Sequence, residues 1–156
     1  MPTLLTEPRP ALTTLSEDER MFQEAVRDFA QSEIAPKVRE MDEAQQMDAG
    51  IISQLFELGL MGIEIPETYG GTASDFFTSV LVVEELSKVD PSIGVLVDVQ
   101  NTLFINAFLR WGNDDLRARY FPRLATDTVG AYALSEAGSG SDAFALSCRA
   151  TQDGDD

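Results

Sequence analysis

Between Ser16 and Pro122 the chain carries one capped apolar stripe after another at helical spacing, and that succession limits its folds more than any other feature. Ser16-Glu17-Asp18-Glu19 forms a capping box, in which the Ser16 hydroxyl accepts from an amide three residues on while Glu19 reaches back to the cap. Met21, Phe22, Ala25, Val26, Phe29, Ala30, Ile34 and Val38 then share one face of a helix. Pro36, without an amide proton, must kink or divide it, the second piece running on towards Met41. A second helix is predicted over 49–58, with Ile51, Ile52, Leu55 and Phe56 on one face and Gly59 as a left-handed cap. Pro66, Gly70 and Gly71 mark a loop around a short extended piece, Ile63 to Ile65. A third helix is predicted over 75–88. Asp90-Pro91 pairs a cap with a proline at the first helical position and opens a fourth helix that runs to Gly112. Asn113 caps a fifth, short helix that stops near Pro122.

The period changes near Thr128. VGAYAL and, after a glycine loop, ALSCRATQ are predicted strands, short runs of Tyr, Val, Cys and Thr bounded by Gly and Asp. The expected fold class is therefore mainly α: an arm rich in Pro and Thr over 1–15, an up-and-down, bundle-like helical domain over 16–127, and the first strands of a β domain over 128–156.

Composition supports a folded chain, with 44% hydrophobic and 24% charged residues among 156. Eleven Lys and Arg against 27 Asp and Glu give a net charge of −16, a surface that repels nucleic acid and anionic membrane alike. No histidine is present, so imidazole bases and His-bound metals are excluded within these residues, and no metal site is expected. Cys148 is the single cysteine, which forbids an internal disulfide and leans towards a reducing compartment. With no Lys, Arg or His sequence neighbour except Arg149, it reads as a buried, inert thiol on a strand. No apolar run is expected to reach the roughly 20 residues of a membrane helix, and the N-terminus lacks a basic region followed by an apolar core. The expected location is cytoplasmic, or the mitochondrial matrix in a eukaryote.

The stretch with most chemistry is Tyr132 to Asp142, YALSEAGSGSD. Gly138, Ser139, Gly140, Ser141, Asp142 and Ala143 satisfy G-x-G-x-x-A, but that fingerprint has a mechanism only where it opens a helix inside a βαβ unit, and no helical stripe follows. A phosphate loop fails too, since no Lys follows the glycines. The residues still let a ligand approach the backbone and offer amides and hydroxyls, which suits a pyrophosphate or an aromatic heterocycle, although Glu136 and Asp142 oppose an anion there. The plain alternative is a Gly/Ser turn between strands. Glu84 and Glu85 point about 100° apart and cannot act as a carboxylate pair; one solvated and one boundary acid is expected. Trp111 is expected to pack at a helix end.

The order of a helical domain followed by YALSEAGSGSD resembles the acyl-CoA dehydrogenase family, with its [YF]-x-[VL]-[ST]-E-x-G-x-G-S-D motif. EIPETYGG, VEELSKVDPS and QNTLFINAFLRWGNDDLRARYFPRLA are also similar to that family, most of all to its short/branched-chain branch. The resemblance implies an FAD enzyme that converts a short or branched acyl-CoA to a trans-2-enoyl-CoA and passes electrons to an electron-transferring flavoprotein, as a homotetramer. It implies flavin contacts along Tyr132, Ala133, Leu134, Ser135, Glu136, Ala137, Gly138, Ser139, Gly140 and Ser141. Ser135 would meet the flavin ring by its hydroxyl and Leu134 by its backbone, Ser141 would also approach the acyl-CoA, and residues from Val95 to Leu103 would wall the acyl pocket. The family's catalytic base lies beyond Asp156, so no catalytic residue is expected here and the chain alone should be inactive. The alternative is a non-catalytic helical module kept for interaction or assembly.

Overall fold

The computed structural model describes residues 14–154, so the predicted arm lies almost wholly outside the described residues. The α-helices among them are α1 (Glu17–Phe29), α2 (Val38–Ala44), α3 (Ala49–Glu57), α4 (Phe76–Ser87), α5 (Pro91–Asp98), α6 (Asn106–Trp111) and α7 (Asp114–Thr126). Their starts follow local chemistry. Glu19 N donates to Ser16 Oγ at 3.2 Å and Ser16 N to Glu19 Oε2 at 2.7 Å, completing the capping box. Asp48, Asp75, Asp90 and Asn113 accept first-turn amides of α3, α4, α5 and α7.

Pro36 does divide the first helix. Ahead of it the backbone widens into a π turn, Ala30–Ile34, in which Ala35 N bonds Ala30 O five residues back, and a single 3-10 turn, Ala35–Lys37, leads into α2. The proline ring crowds the carbonyl four residues earlier, and the wider turn relieves it.

Two helical expectations are corrected. Residues 63–65 are not extended but belong to successive turns after α3, with Gly62 N bonded to Gly59 O and Ile65 N to Gly62 O, both at 3.3 Å. Thr72, Ala73 and Ser74 donate their amides back to Gly62, Ile65 and Ile63, which closes this loop upon itself. Helix α7 does not stop near Pro122 but continues to Thr126. Phe121, Leu124 and Ala125 are buried beyond or beside the proline, and the Phe121 ring lies 5.5 Å from that of Tyr69, so packing outweighs the lost amide.

Helix α5, a second π turn over Val99–Ile105, and α6 form one continuous run, Pro91–Trp111. Its 21 residues and mean hydropathy of 1.4 are enough, by length and composition, to cross a membrane, contrary to the expectation that no run reaches that measure. Here it is the central helix of the bundle, with Ile93, Val97 and Ile105 fully buried. It links two cores. The larger gathers Val26, Ile34, Ile51, Leu55, Val82, Leu86, Ile93 and Val97 from α1, the π turn after it, α3, α4 and α5; the smaller joins Ile65 and Ile105 to Phe121, Leu124 and Ala125 of α7.

Glu84 and Glu85 separate more sharply than expected. Glu84 is exposed, whereas Glu85 is 1% exposed and receives both Arg27 Nε and Nη2 at 3.0 Å and Lys88 Nζ at 2.9 Å. This fork ties α1 to α4, and its cations hold the Glu85 carboxyl below the usual carboxylate range, the Arg27 hydrogen bond foremost.

Mainly helical architecture is as expected, but the predicted strands VGAYAL and ALSCRATQ, residues 129–134 and 145–152, are absent among the described residues. After α7 the described chain is irregular, with an isolated bridge, Glu136 with Ser139, and a 3-10 turn over Ala143–Ala145. Strand-like sequence forms a strand only with a partner to fill its ladder, and two short runs are too few to make a sheet. Cys148 is accordingly exposed rather than buried on a strand.

Candidate functional site

The central helix presents a polar pair in the middle of its apolar run, Gln100 and Asn101, both fully buried in the second π turn. Asn101 accepts from Ile63 N at 2.9 Å and donates to Leu60 O and Val97 O, each at 2.9 Å, so one carboxamide pins the turns after α3 to the central helix. Gln100 reaches the other way. Its Nε2 donates to Leu124 O and Thr128 O, both at 3.1 Å, and its Oε1 accepts from Gly130 N at 2.7 Å. The sequence placed both only within the 95–103 stretch expected to wall the acyl pocket and not in these buried contacts; the signal was two amides interrupting a stripe that apolar periodicity demands.

Beyond Gly130 the chain runs into the YALSEAGSGSD stretch. Tyr132 and Leu134 are 43% and 42% exposed, Ser135, Gly138, Gly140 and Ser141 are exposed, Glu136 is half-buried and Ser139 is buried. Glu136 and Ser139 exchange backbone hydrogen bonds of 2.8 and 3.1 Å, closing a four-residue turn, and Ser139 Oγ donates to Asp142 O at 2.7 Å. The Glu136 carboxylate turns away from the loop to accept Ser147 N and Cys148 N, both at 2.9 Å, and Ser147 Oγ at 3.0 Å. Those donors, the Ser147 amide first, hold Glu136 below its ordinary carboxylate value. One of the two acids that opposed an anion at this loop is thus already engaged elsewhere.

An open cleft of about 500 Å³ lies beside the start of the stretch, lined by Phe76 of α4, Thr102, Leu103, Asn106, Arg110 and Trp111 of the central helix, and Tyr132. Of the predicted flavin-contacting residues only Tyr132 lines it; Ser135 and Ser141 do not. Trp111, expected to pack at its helix end, is instead 77% exposed at the cleft. Behind Asn106 stands Glu64, which sequence reasoning also missed: Asn106 Nδ2 donates to its Oε1 at 3.1 Å and Ser79 Oγ at 3.4 Å. Burial pushes the Glu64 carboxyl up, against the pull of those two hydrogen bonds. Among the described residues no group of His, Cys, Asp and Glu is arranged to hold a metal.

Residues 16–128 match the family model described as "Acyl-CoA dehydrogenase, N-terminal domain". The chain belongs to the acyl-CoA dehydrogenase family. Among its curated relatives is a probable short/branched chain specific acyl-CoA dehydrogenase of Dictyostelium discoideum, 49% identical over 144 residues, which are 92% of this chain and 35% of the relative. The mitochondrial short/branched chain specific acyl-CoA dehydrogenase of Rattus norvegicus is 48% identical over 143 residues, 92% of this chain and 33% of the relative. The chain therefore spans about a third of the length of the curated relatives it matches. Solved structures agree in fold. A chain in a structure described as an electron transferring flavoprotein of Acidaminococcus fermentans superposes with a TM-score of 0.84 at 36% identity, over 91% of this chain and 38% of that one. A glutaryl-CoA dehydrogenase from Mycobacterium smegmatis in complex with FADH2 superposes with a TM-score of 0.81 at 28% identity, over 90% and 36%. The short/branched-chain resemblance and the helical acyl-CoA dehydrogenase fold expected from sequence are thus both found.

Proposed function

We propose that the chain is the N-terminal part of an FAD-dependent acyl-CoA dehydrogenase that oxidises a short or branched acyl-CoA to a trans-2-enoyl-CoA, with residues 132–141 as its flavin-facing segment. The carrying observation is that these residues leave the helical body as an exposed, donor-bearing strap beside an apolar cleft. They fit a flavin on chemistry. The Ser135 and Ser141 hydroxyls make no hydrogen bond to another described residue, and nothing lies within 4 Å of where a Cβ on Gly138 or Gly140 would stand, so donors and backbone remain open to a planar ring or a pyrophosphate. Positive charge for that pyrophosphate is not supplied by the strap and has to come from other residues.

FAD, when bound, supplies the hydride acceptor for the acyl-CoA Cβ. The chain's own contribution is orientation and exclusion. Ser135 Oγ and the Leu134 amide would donate hydrogen bonds where the ring gains negative charge, a preorganised stabilisation. Ser141 would lie where the FAD pyrophosphate and the acyl-CoA approach each other, and Thr102 and Leu103 of the 95–103 stretch, with Phe76 and Trp111, would keep water from the reacting carbons. The proton from Cα goes to a base outside these residues, so the chain alone is inactive. The helical part over 16–127 then serves as one wall of a site that a β domain, begun by residues 128–156, completes. Identity with the short/branched-chain relatives supports that substrate class, and the likeness to the flavoprotein structure supports an electron-transferring flavoprotein as electron acceptor. The same family reading carries a homotetramer and a location in the cytoplasm, or in the matrix as for the mitochondrial relative, and the net charge of −16 speaks against nucleic acid and membrane as partners. The exposure of Leu134, Phe144 and Leu146 supports a β segment that further strands would cover over a free-standing interaction module.

The purified chain is expected to be colourless, yet to show amide shifts confined to residues 132–141 when FAD is added at millimolar concentration. Ser135→Ala should diminish those shifts while moving the unfolding free energy by less than about 0.5 kcal/mol. Shifts scattered over the helices, or none, would remove the strap from the flavin site, and stoichiometric FAD carried through purification would show that no further segment is needed.

A further inference from the structure

We infer that Gln100 is the positioning residue for the strap, setting where residues 132–141 leave the helical body; its bearing on the flavin rests on the reading proposed above. The Gln100 carboxamide is fully buried, and both its ends are engaged: two donated bonds fix the last turn of α7 through Leu124 O and the second residue beyond the helix through Thr128 O, and one accepted bond fixes Gly130 N. A second contact backs the first. The Phe104 ring stands so close to Gly130 that a Cβ there would lie 2.3 Å from it, so the backbone at 130 is gripped by an amide on one side and by an aromatic ring on the other. Tyr132 follows two residues after the pinned Gly130, a reach of at most about 7 Å for an extended chain, so a displacement of the grip passes directly into the cleft wall and on to Leu134 and Ser135.

The chemistry selects an amide at this place. Glutamate would accept from Gly130 N but present an oxygen to two carbonyls, and a hydrocarbon would take the side-chain partner from one buried and two part-buried backbone groups. Asn101, the adjacent residue, makes the same kind of contacts with Leu60 and Ile63 instead, so the neighbouring amides hold separate parts of the chain. That separation gives an internal control: loss of the Gln100 contacts should release Gly130 and not Ile63.

Hydrogen exchange of the 156-residue chain, read by NMR for wild type and Gln100→Leu, tests this. Exchange of the Gly130 amide is expected to rise at least tenfold, with shifted signals from Tyr132 to Ser135, while the Ile63 amide keeps its protection. Unchanged exchange at Gly130, or an equal rise at Gly130 and Ile63, overturns the inference, because Gln100 would then be idle or merely part of the core. Should Gln100→Leu fail to fold, Gly130→Ala disturbs the same grip from the strap side; it should move the Tyr132 to Ser135 signals and Phe104→Ala in the same chain should return them, and signals that stay in place refute the grip. Added FAD separates the two readings. If wild type shows no FAD shifts while Gln100→Leu still frees Gly130, the flavin reading falls and the positioning role stands; if FAD shifts the wild-type strap and Gln100→Leu responds identically, the positioning role falls.

Discussion

At the scale of single residues, burial and charge decide which substitutions matter. Glu85 is buried, but its partners are about half exposed, so the two sides of the pair are unequal. Arg27→Ala leaves a buried carboxylate with Lys88 alone and should lower the midpoint of a urea titration more than removal of the carboxylate charge does. Glu85→Gln leaves cations that water can reach and should cost about 1 kcal/mol. Because the folded-state value of Glu85 is depressed, its stabilisation is present above the ordinary value of 4.5 and is lost as pH falls through the lower folded value. Acid unfolding of the wild type should steepen below pH 4.5, and Glu85→Gln should flatten it. Glu64 has the opposite sign. Its raised value favours the protonated form in the folded state, so its ionisation weighs against the fold as pH rises through that value. Glu64→Gln keeps an acceptor for Asn106 and should raise the Tm at neutral pH, the gain vanishing in acid.

Among the elements, helix starts were legible because each is a local event: one oxygen on Ser16, Asp90 or Asn113 meets an amide two or three residues away. Helix interiors were legible for the same reason, through apolar spacing. What failed was non-local. Pro122 reads as a stop, and only the burial of Phe121 and Leu124 against Ile65 and Ile105 carries the helix past it. Pro122→Ala should therefore raise stability by about 1–3 kcal/mol in thermal or urea unfolding, by restoring an amide that can bond within the helix. The strap was found by its motif, but its fastening was not, because Gln100 lies 30 residues before the Gly130 amide that it holds and nothing local advertises the pairing. Strand propensity after Thr128 was real and still produced no ladder, since propensity supplies no partner.

For the molecule as a whole, a charge of −16 on 156 residues makes self-repulsion a standing opponent of the compact state. Raising NaCl from about 0.01 to about 0.15 M shortens the screening length from roughly 30 to 8 Å. The Tm should rise over that range, since the exposed ion pairs lost to screening are individually weak; a falling Tm would show that the ion pairs outweigh the repulsion. The two cores meet this repulsion together, joined through the central helix. Ile93, Val97, Asn101 and Ile105 recur every fourth residue and all are buried. In a uniform α-helix such steps drift by about 40° each, or about 120° over the three; the wide turn at Val99–Ile105 takes up that drift. Length and rotation are therefore coupled along this helix. Deleting any one residue between Val99 and Ile105 would act less as a shortening than as a twist, turning Phe108, Trp111 and everything carried beyond them by about a quarter turn relative to Ile93. Such a chain would keep its composition and nearly all its helix, and lose the alignment of its two halves.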